Sequence, residues 1–128
     1  MEIGRLASKS LVTVGPRHSV AEAARRMTGR KVGAAIVWME DGSPGIITER
    51  DVMRALCEGA DLEGTPVSKY MTPNAVTGSP SEDALDAAHQ MLEGGFRHLV
   101  VLDATGGPTG ILSIRDLVSL LVQELEAR

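Results

Sequence analysis

The residues of this chain best equipped for chemistry occur twice, in the same order. One stretch reads Gly45-Ile46-Ile47-Thr48-Glu49-Arg50-Asp51, and the other Gly110-Ile111-Leu112-Ser113-Ile114-Arg115-Asp116. A hydroxyl three residues before an Asp has a structural meaning: Thr48 or Ser113 caps a helix, and the Asp lies in its first turn near the positive dipole end. Capping does not demand an Arg at the same place in both stretches. A helix N-terminus also offers amides to an anion, and a hydroxyl and a guanidinium add donors for phosphate oxygens. The Asp can accept from a vicinal diol, as an acidic residue does for ribose in dinucleotide folds. Phosphate donors beside a diol acceptor describe recognition of a nucleotide's sugar-phosphate.

No other group of residues points to chemistry. His18, His89 and His98 have no metal-ligand spacing with each other or with Cys57. His18 precedes a helix and His89 lies within one, which suits surface positions. His98 opens an apolar strand, where a cleft-lining role and a structural one both remain open. Cys57, on the helix after Asp51, reads as a packed or interface thiol rather than a nucleophile. Glu40-Asp41 belongs to a turn and Glu82-Asp83 to a helix start. Gly94-Gly95 is followed by no Lys-Ser/Thr and is not a phosphate loop. No catalytic residue and no metal site are expected, so the chain does not read as an enzyme.

The elements that must position the two stretches are themselves repeated. Sliding the chain by 64 residues places Val12-Thr13 on Val76-Thr77, Pro16 on Pro80, Ala23-Ala24 on Ala87-Ala88, Met27 on Met91 and Val37 on Val101. One insertion later, at an offset of 65, Gly45-Ile46 meets Gly110-Ile111 and Arg50-Asp51 meets Arg115-Asp116. In each copy apolar residues at i, i+3, i+4 and i+7 predict an amphipathic helix: Val20, Ala23, Ala24 and Met27, then Ala84, Ala87, Ala88 and Met91. Ser19 and Glu22 form a capping-box signature, and Glu82-Asp83 gives the second helix an acidic start. The runs Ala34–Trp38 and Leu99–Leu102 predict buried strands. Turns at Asp41-Gly42 and Gly106-Gly107 lead to second strands that end at Thr48 and Ser113. The closing helices are expected to bury Val52, Met53 and Leu56 in copy one, and Leu117, Val118, Leu121 and Leu125 in copy two.

The expected fold class is therefore α+β, with two pseudo-symmetric β-α-β-β-α repeats packed through their sheets. The repeats span residues 1–62 and 63–128, each with its own lead-in, together one compact module. Each copy alone is too small to bury a comfortable core. Gly64, Pro66 and Pro73 punctuate the link between them.

Composition narrows the function. The net charge of -4 does not suit a nucleic-acid backbone, and one Trp, one Tyr and one Phe give no stacking platform. A single cysteine allows no internal disulfide and fits a reducing cytoplasm. The first residues lack a secretory signal's apolar core. No apolar run approaches the roughly 20 residues of a membrane span.

Over about residues 3–122 the chain resembles a tandem pair of CBS domains, the module named after cystathionine β-synthase. Both copies carry the Gly-x-x-Thr/Ser-x-x-Asp ending and the helix-plus-apolar-strand core. The lead-in Val67-Ser68-Lys69-Tyr70-Met71-Thr72-Pro73 often precedes such a repeat, whereas that from Ile3 to Leu11 lacks the usual Met-Thr. The resemblance implies a stand-alone sensor that binds AMP, ADP, ATP or S-adenosylmethionine in clefts shared by the repeats. It also implies a homodimer, with Leu117, Leu121 and Leu125 as seam candidates, and a separate protein partner that reads the signal. Carried over, one cleft would use Thr48, Arg50 and Asp51, with the base near Ala87, Phe96, Arg97 and His98. The other would use Ser113, Arg115 and Asp116, with the base near Ala23, Val32, Gly33 and Ala34.

The alternative is a ligand-free structural or dimerisation module, with Phe96 or Trp38 blocking the clefts. In the family, the residue before the apolar strand often reaches phosphate; it is Arg97 in copy two and Gly33 in copy one. The cleft with Arg97 and Arg115 is thus expected to prefer the more highly phosphorylated ligand. Titration against AMP and ATP tests this: Arg97→Ala should lose ATP affinity and Gly33→Arg should gain it. Unchanged ATP affinity in Arg97→Ala overturns the expectation.

Overall fold

A computed structural model of the chain describes residues 1–7 and 11–128. Residues 8–10, in the first lead-in, lie outside the described residues. The fold is mixed α+β, with two three-stranded sheets and four α-helices among the described residues. In chain order it runs β1 (Thr13–Val14), α1 (Val20–Arg30), β2 (Ala34–Trp38), β3 (Pro44–Thr48), α2 (Glu49–Cys57), β4 (Thr77–Gly78), α3 (Ala84–Gly94), β5 (His98–Leu102), β6 (Pro108–Ser113) and α4 (Ile114–Glu126). One sheet has the order β1-β2-β3 and the other β4-β5-β6, and in each the first pair is parallel and the second antiparallel.

By contacts the chain forms two compact units, Ser10–Ala75 and Met1–Lys9 with Val76–Arg128. Each lead-in thus folds with the other repeat's sheet. The backbone accounts for this directly. Val67 and Ser68 donate to the carbonyls of His18 and Pro16, at 2.8 and 3.1 Å, and their turn Val67–Lys69 is a short 3-10 helix. Ile3 and Gly4 donate to Glu82 and Pro80, both at 2.9 Å, from the 3-10 turn Ile3–Arg5. The two sets of partners are related by the same 64-residue shift as the repeats.

In the Ser10–Ala75 unit the core gathers Val12, Val14, Ala23, Met27, Ala35, Val37, Ile47 and Val67. The link also runs along the edge of β3, where Ile46 and Thr72 exchange two backbone bonds of 2.9 and 2.8 Å. Gly45 permits that approach, because a Cβ there would stand 3.0 Å from the Thr72 carbonyl oxygen. In the other unit Ile3 and Ala7 join Ala84, Ala87, Met91, Leu99, Val101, Leu112, Leu117 and Leu120. The first helices end alike in left-handed residues, Lys31 (φ 56°) and Gly95 (φ 71°).

Three expectations about the helices need correction. On α2 Met53 and Leu56 are each 64% exposed and Val52 is half-buried; the fully buried residue is Ala55. The reason is Tyr70, which reaches in from the link and packs on Val20 and Ala55, leaving space only for a small side chain. On α4 Leu117 and Leu120 face the core, while Val118, Leu121 and Leu125 are exposed. At α1 only half of the capping box forms. Ser19 accepts from the Glu22 amide at 3.0 Å, but the Glu22 carboxylate is held by Arg25 and Arg26 instead of the cap.

Tyr70 is anchored at both ends. Its hydroxyl donates to Glu58 at 3.0 Å, and its carbonyl accepts from Arg54 at 2.8 Å, with the guanidinium 5.3 Å from the ring centre. Burial and the Glu58 carboxylate push the phenol above its ordinary pKa. A raised folded-state pKa means stability present below the unfolded value of about 10 and lost as pH rises through the folded value. Tyr70→Phe should therefore cost about 1 kcal/mol at neutral pH. It should also remove part of the alkaline loss of stability, as measured by denaturant unfolding from pH 8 upward.

Candidate functional site

Both strand-to-helix junctions are built from a full capping box. Thr48 is the N-cap of α2: the Asp51 amide donates to its Oγ1 at 3.3 Å, and its own amide donates to Asp51 Oδ2 at 2.9 Å. Ser113 repeats this on α4, accepting from the Asp116 amide at 3.1 Å and donating its own amide to Asp116 Oδ2 at 2.8 Å. The amide that opens each helix is also engaged, Glu49 to the Gly33 carbonyl and Ile114 to the Arg97 carbonyl, both at 2.9 Å. The amides of Arg50 and Arg115 are the ones left out of these bonds, so each helix start offers fewer amides to an anion than its sequence suggests.

Capping thus accounts for the hydroxyl and the acid, and one carboxylate oxygen of each Asp is committed to it. It does not account for the arginines. Arg50 and Arg115 are exposed at the first turn, and neither has a hydrogen bond or ion pair among the described residues. The Asp residues differ in their second oxygen. Asp51 Oδ1 lies 3.4 Å from Arg54, while position 119, the equivalent of Arg54, is Ser.

The remaining residues named from the sequence separate into three groups. Ala23 and Ala87 are 0% exposed in the helix–sheet cores, so they act as packing and present no surface to a base. Val32 and Phe96 are half-buried against those cores. Gly33, Ala34, Arg97 and His98 flank the junctions of their own copies. Ala34 pairs with Thr48 and His98 with Ser113 across the sheets, and the bonds from Glu49 and Ile114 hold Gly33 and Arg97 beside them. The structure therefore groups Arg97 with Ser113 and Arg115, and Gly33 with Thr48 and Arg50. Arg97 is exposed and, like the other two arginines, without a partner among the described residues.

The sequence reading passed over Glu49 and Arg54. The variable positions inside the repeated motif, Glu49 against Ile114, carried the available signal. Two hollows lie elsewhere. One of about 260 Å³ runs between α3 and α4, lined by Leu85, Ala88, Leu117 and Leu121 among others. The other, about 340 Å³, is bounded by Gly15, Pro16, Arg17, His18 and Glu40. Cys57 is exposed, and no group of three or more metal-ligating side chains occurs among the described residues. No helix there is long and apolar enough to cross a membrane.

The profile of the CBS domain matches residues 3–58 and again 67–123. The chain belongs to the CBS-domain family. It is 35% identical over 122 residues to a 17.7 kDa protein of Acidianus ambivalens, covering 94% of this chain and 73% of that one. Longer CBS domain-containing proteins of Arabidopsis thaliana are matched over about a fifth of their length. Among solved structures, a CBS domain protein from Pyrobaculum aerophilum complexed with AMP aligns over the whole of both chains with TM-score 0.86 and 26% identity. CBSX2, also solved in complex with AMP, aligns over 95% of this chain and 96% of that one, with TM-score 0.78 and 27% identity.

The capping box is the CBS feature most open to direct test. Thr48→Ala and Ser113→Ala should each cost about 1 kcal/mol, the usual worth of an N-cap. Urea unfolding should show the loss as a lower midpoint with an unchanged slope.

Proposed function

We propose that this CBS pair is a non-catalytic regulatory module that binds an adenosine-containing ligand at its strand-to-helix junctions and signals to a separate protein. One observation carries the reading. An exposed arginine without a partner among the described residues stands beside the same hydroxyl–carboxylate cap in both copies, Arg50 with Thr48 and Asp51, Arg115 with Ser113 and Asp116. A guanidinium fork suits phosphate oxygens, and the carboxylate oxygen not used by the cap suits a ribose diol. The AMP complexes of two relatives support the ligand class. Within it AMP, ADP, ATP and S-adenosylmethionine all carry the recognised adenosine group. At the second junction Arg97 adds a further cation, which favours the longer phosphate chains there.

A homodimer belongs to the same proposal. Val118, Leu121, Val122 and Leu125 form an exposed apolar stripe at i, i+3, i+4 and i+7 on α4. Leu117, buried at 2%, is not part of it. Burial of such a stripe against its copy would remove it from water.

Thermal-shift measurements with AMP, ADP, ATP and S-adenosylmethionine test the reading. A ligand at a hundred times its Kd should stabilise the protein by about 2.7 kcal/mol. The double variant Arg50→Ala/Arg115→Ala should keep the unliganded melting temperature, because neither side chain has a partner to lose, and should lose the shift. No shift with any of the four compounds would favour the ligand-free dimerisation module instead.

A further inference from the structure

The two junctions share a backbone but differ in the charge they would present to a ligand. At the first, Glu49 opens α2 and its carboxylate lies over Gly33. A Cβ built on Gly33 would stand 3.2 Å from Glu49 Cδ and Oε1 and 3.5 Å from Oε2. The Glu49 carboxylate has no hydrogen bond or ion pair among the described residues, so no cation is bonded to it. At the second junction the same backbone bond joins Arg97 to Ile114. Across the four equivalent positions, Gly33, Glu49, Arg50 and Asp51 carry one net negative charge, whereas Arg97, Ile114, Arg115 and Asp116 carry one net positive charge.

Both differences act in one direction. Arg97 adds a cation to the second junction, and Glu49 adds an anion to the first. Like charges a few ångströms apart near a surface repel strongly enough to shift an equilibrium by a large factor. Because Gly33 has no side chain, the Glu49 carboxylate rests directly beside the backbone that leads into the junction.

We propose that Glu49 is a specificity determinant that turns the Thr48 junction against polyphosphates. The Thr48 junction then selects adenosine ligands that bring little or no phosphate charge, or a positive charge, to this point. The Ser113 junction takes the adenosine di- and triphosphates. This inference rests on the adenosine-ligand reading of both junctions, and it adds exclusion at one to the attraction that Arg97 provides at the other.

NMR titration of the full chain resolves the two junctions separately, with the amides of residues 48–51 and 113–116 as reporters. The probes are ATP, AMP and uncharged adenosine, applied to the unmodified protein, Glu49→Gln and Glu49→Lys. The Glu49 side chain makes no hydrogen bond or ion pair among the described residues, so both variants should fold as the parent does. In the parent, ATP should bind the Ser113 junction more tightly than the Thr48 junction. Glu49→Gln should tighten ATP at the Thr48 junction about five- to tenfold, with a larger gain for Glu49→Lys and a smaller one for AMP. Adenosine should change by less than about twofold, since it carries no charge to repel. Equal ATP affinity at the Thr48 junction in parent and Glu49→Gln overturns the inference, as does an equal gain for adenosine. If no adenosine compound moves either set of amides in the parent, the ligand reading itself fails and this inference falls with it.

Discussion

Two residue pairs at the junctions, Thr48 with Asp51 and Ser113 with Asp116, set the starting point of the last helix in each repeat. Each makes two bonds at once: the hydroxyl satisfies an amide of the first helical turn, and the carboxylate satisfies the amide of the cap. Together they fix where β3 and β6 stop and where α2 and α4 start. The helix phase follows from that starting point. With Thr48 as cap, Ala55 comes to face the core and Met53 and Leu56 face out. With Ser113 as cap, Leu117 and Leu120 face in. The arginine two residues after the cap is left on the exposed first turn in both copies.

The second requirement is that each sheet and its helices gain enough apolar surface to hold together. Neither repeat does so from its own contiguous stretch. Val67 and Tyr70 enter the unit of the first sheet, and Ile3 enters that of the second. Their backbone donors meet the carbonyls of Pro16 and His18, or Pro80 and Glu82. Tyr70 has a further consequence, because Arg54 bonds its carbonyl, stacks on its ring and lies near Asp51. The link and the first junction are thus mechanically joined through one guanidinium, a connection that Ser119 does not provide in the second copy.

The symmetry of the backbone makes the asymmetry of charge more informative. CBS repeats with the same register beside the junction, the same cap and the same arginine differ in Gly33 against Arg97 and in Glu49 against Ile114. None of these four residues is needed by the capping box. At Gly33 the absence of a side chain leaves the place to the Glu49 carboxylate, whereas the matching position in the second copy carries the Arg97 side chain.

Much of this was legible before the structure because it is local. A hydroxyl and an acid three residues apart form a cap from neighbouring backbone alone, and periodicity of 3.6 or a short β-branched run marks helix and strand without reference to distant partners. The repeat, the fold class and both junctions followed from those signals. The burial of α2 did not, because it depends on Tyr70, which arrives from another part of the chain. The pairing of each lead-in with the other repeat's sheet depends on long-range backbone bonds, which no local pattern encodes. The same holds for Arg97, which the family resemblance named both near the base of the Thr48 cleft and together with Arg115, and which the sheet register sets beside Ser113. The repeated cap and its arginine can be read along the chain, because they are built from neighbouring residues. Which other side chains stand beside them follows from hydrogen-bond register and core packing, which act between segments that are distant along the chain.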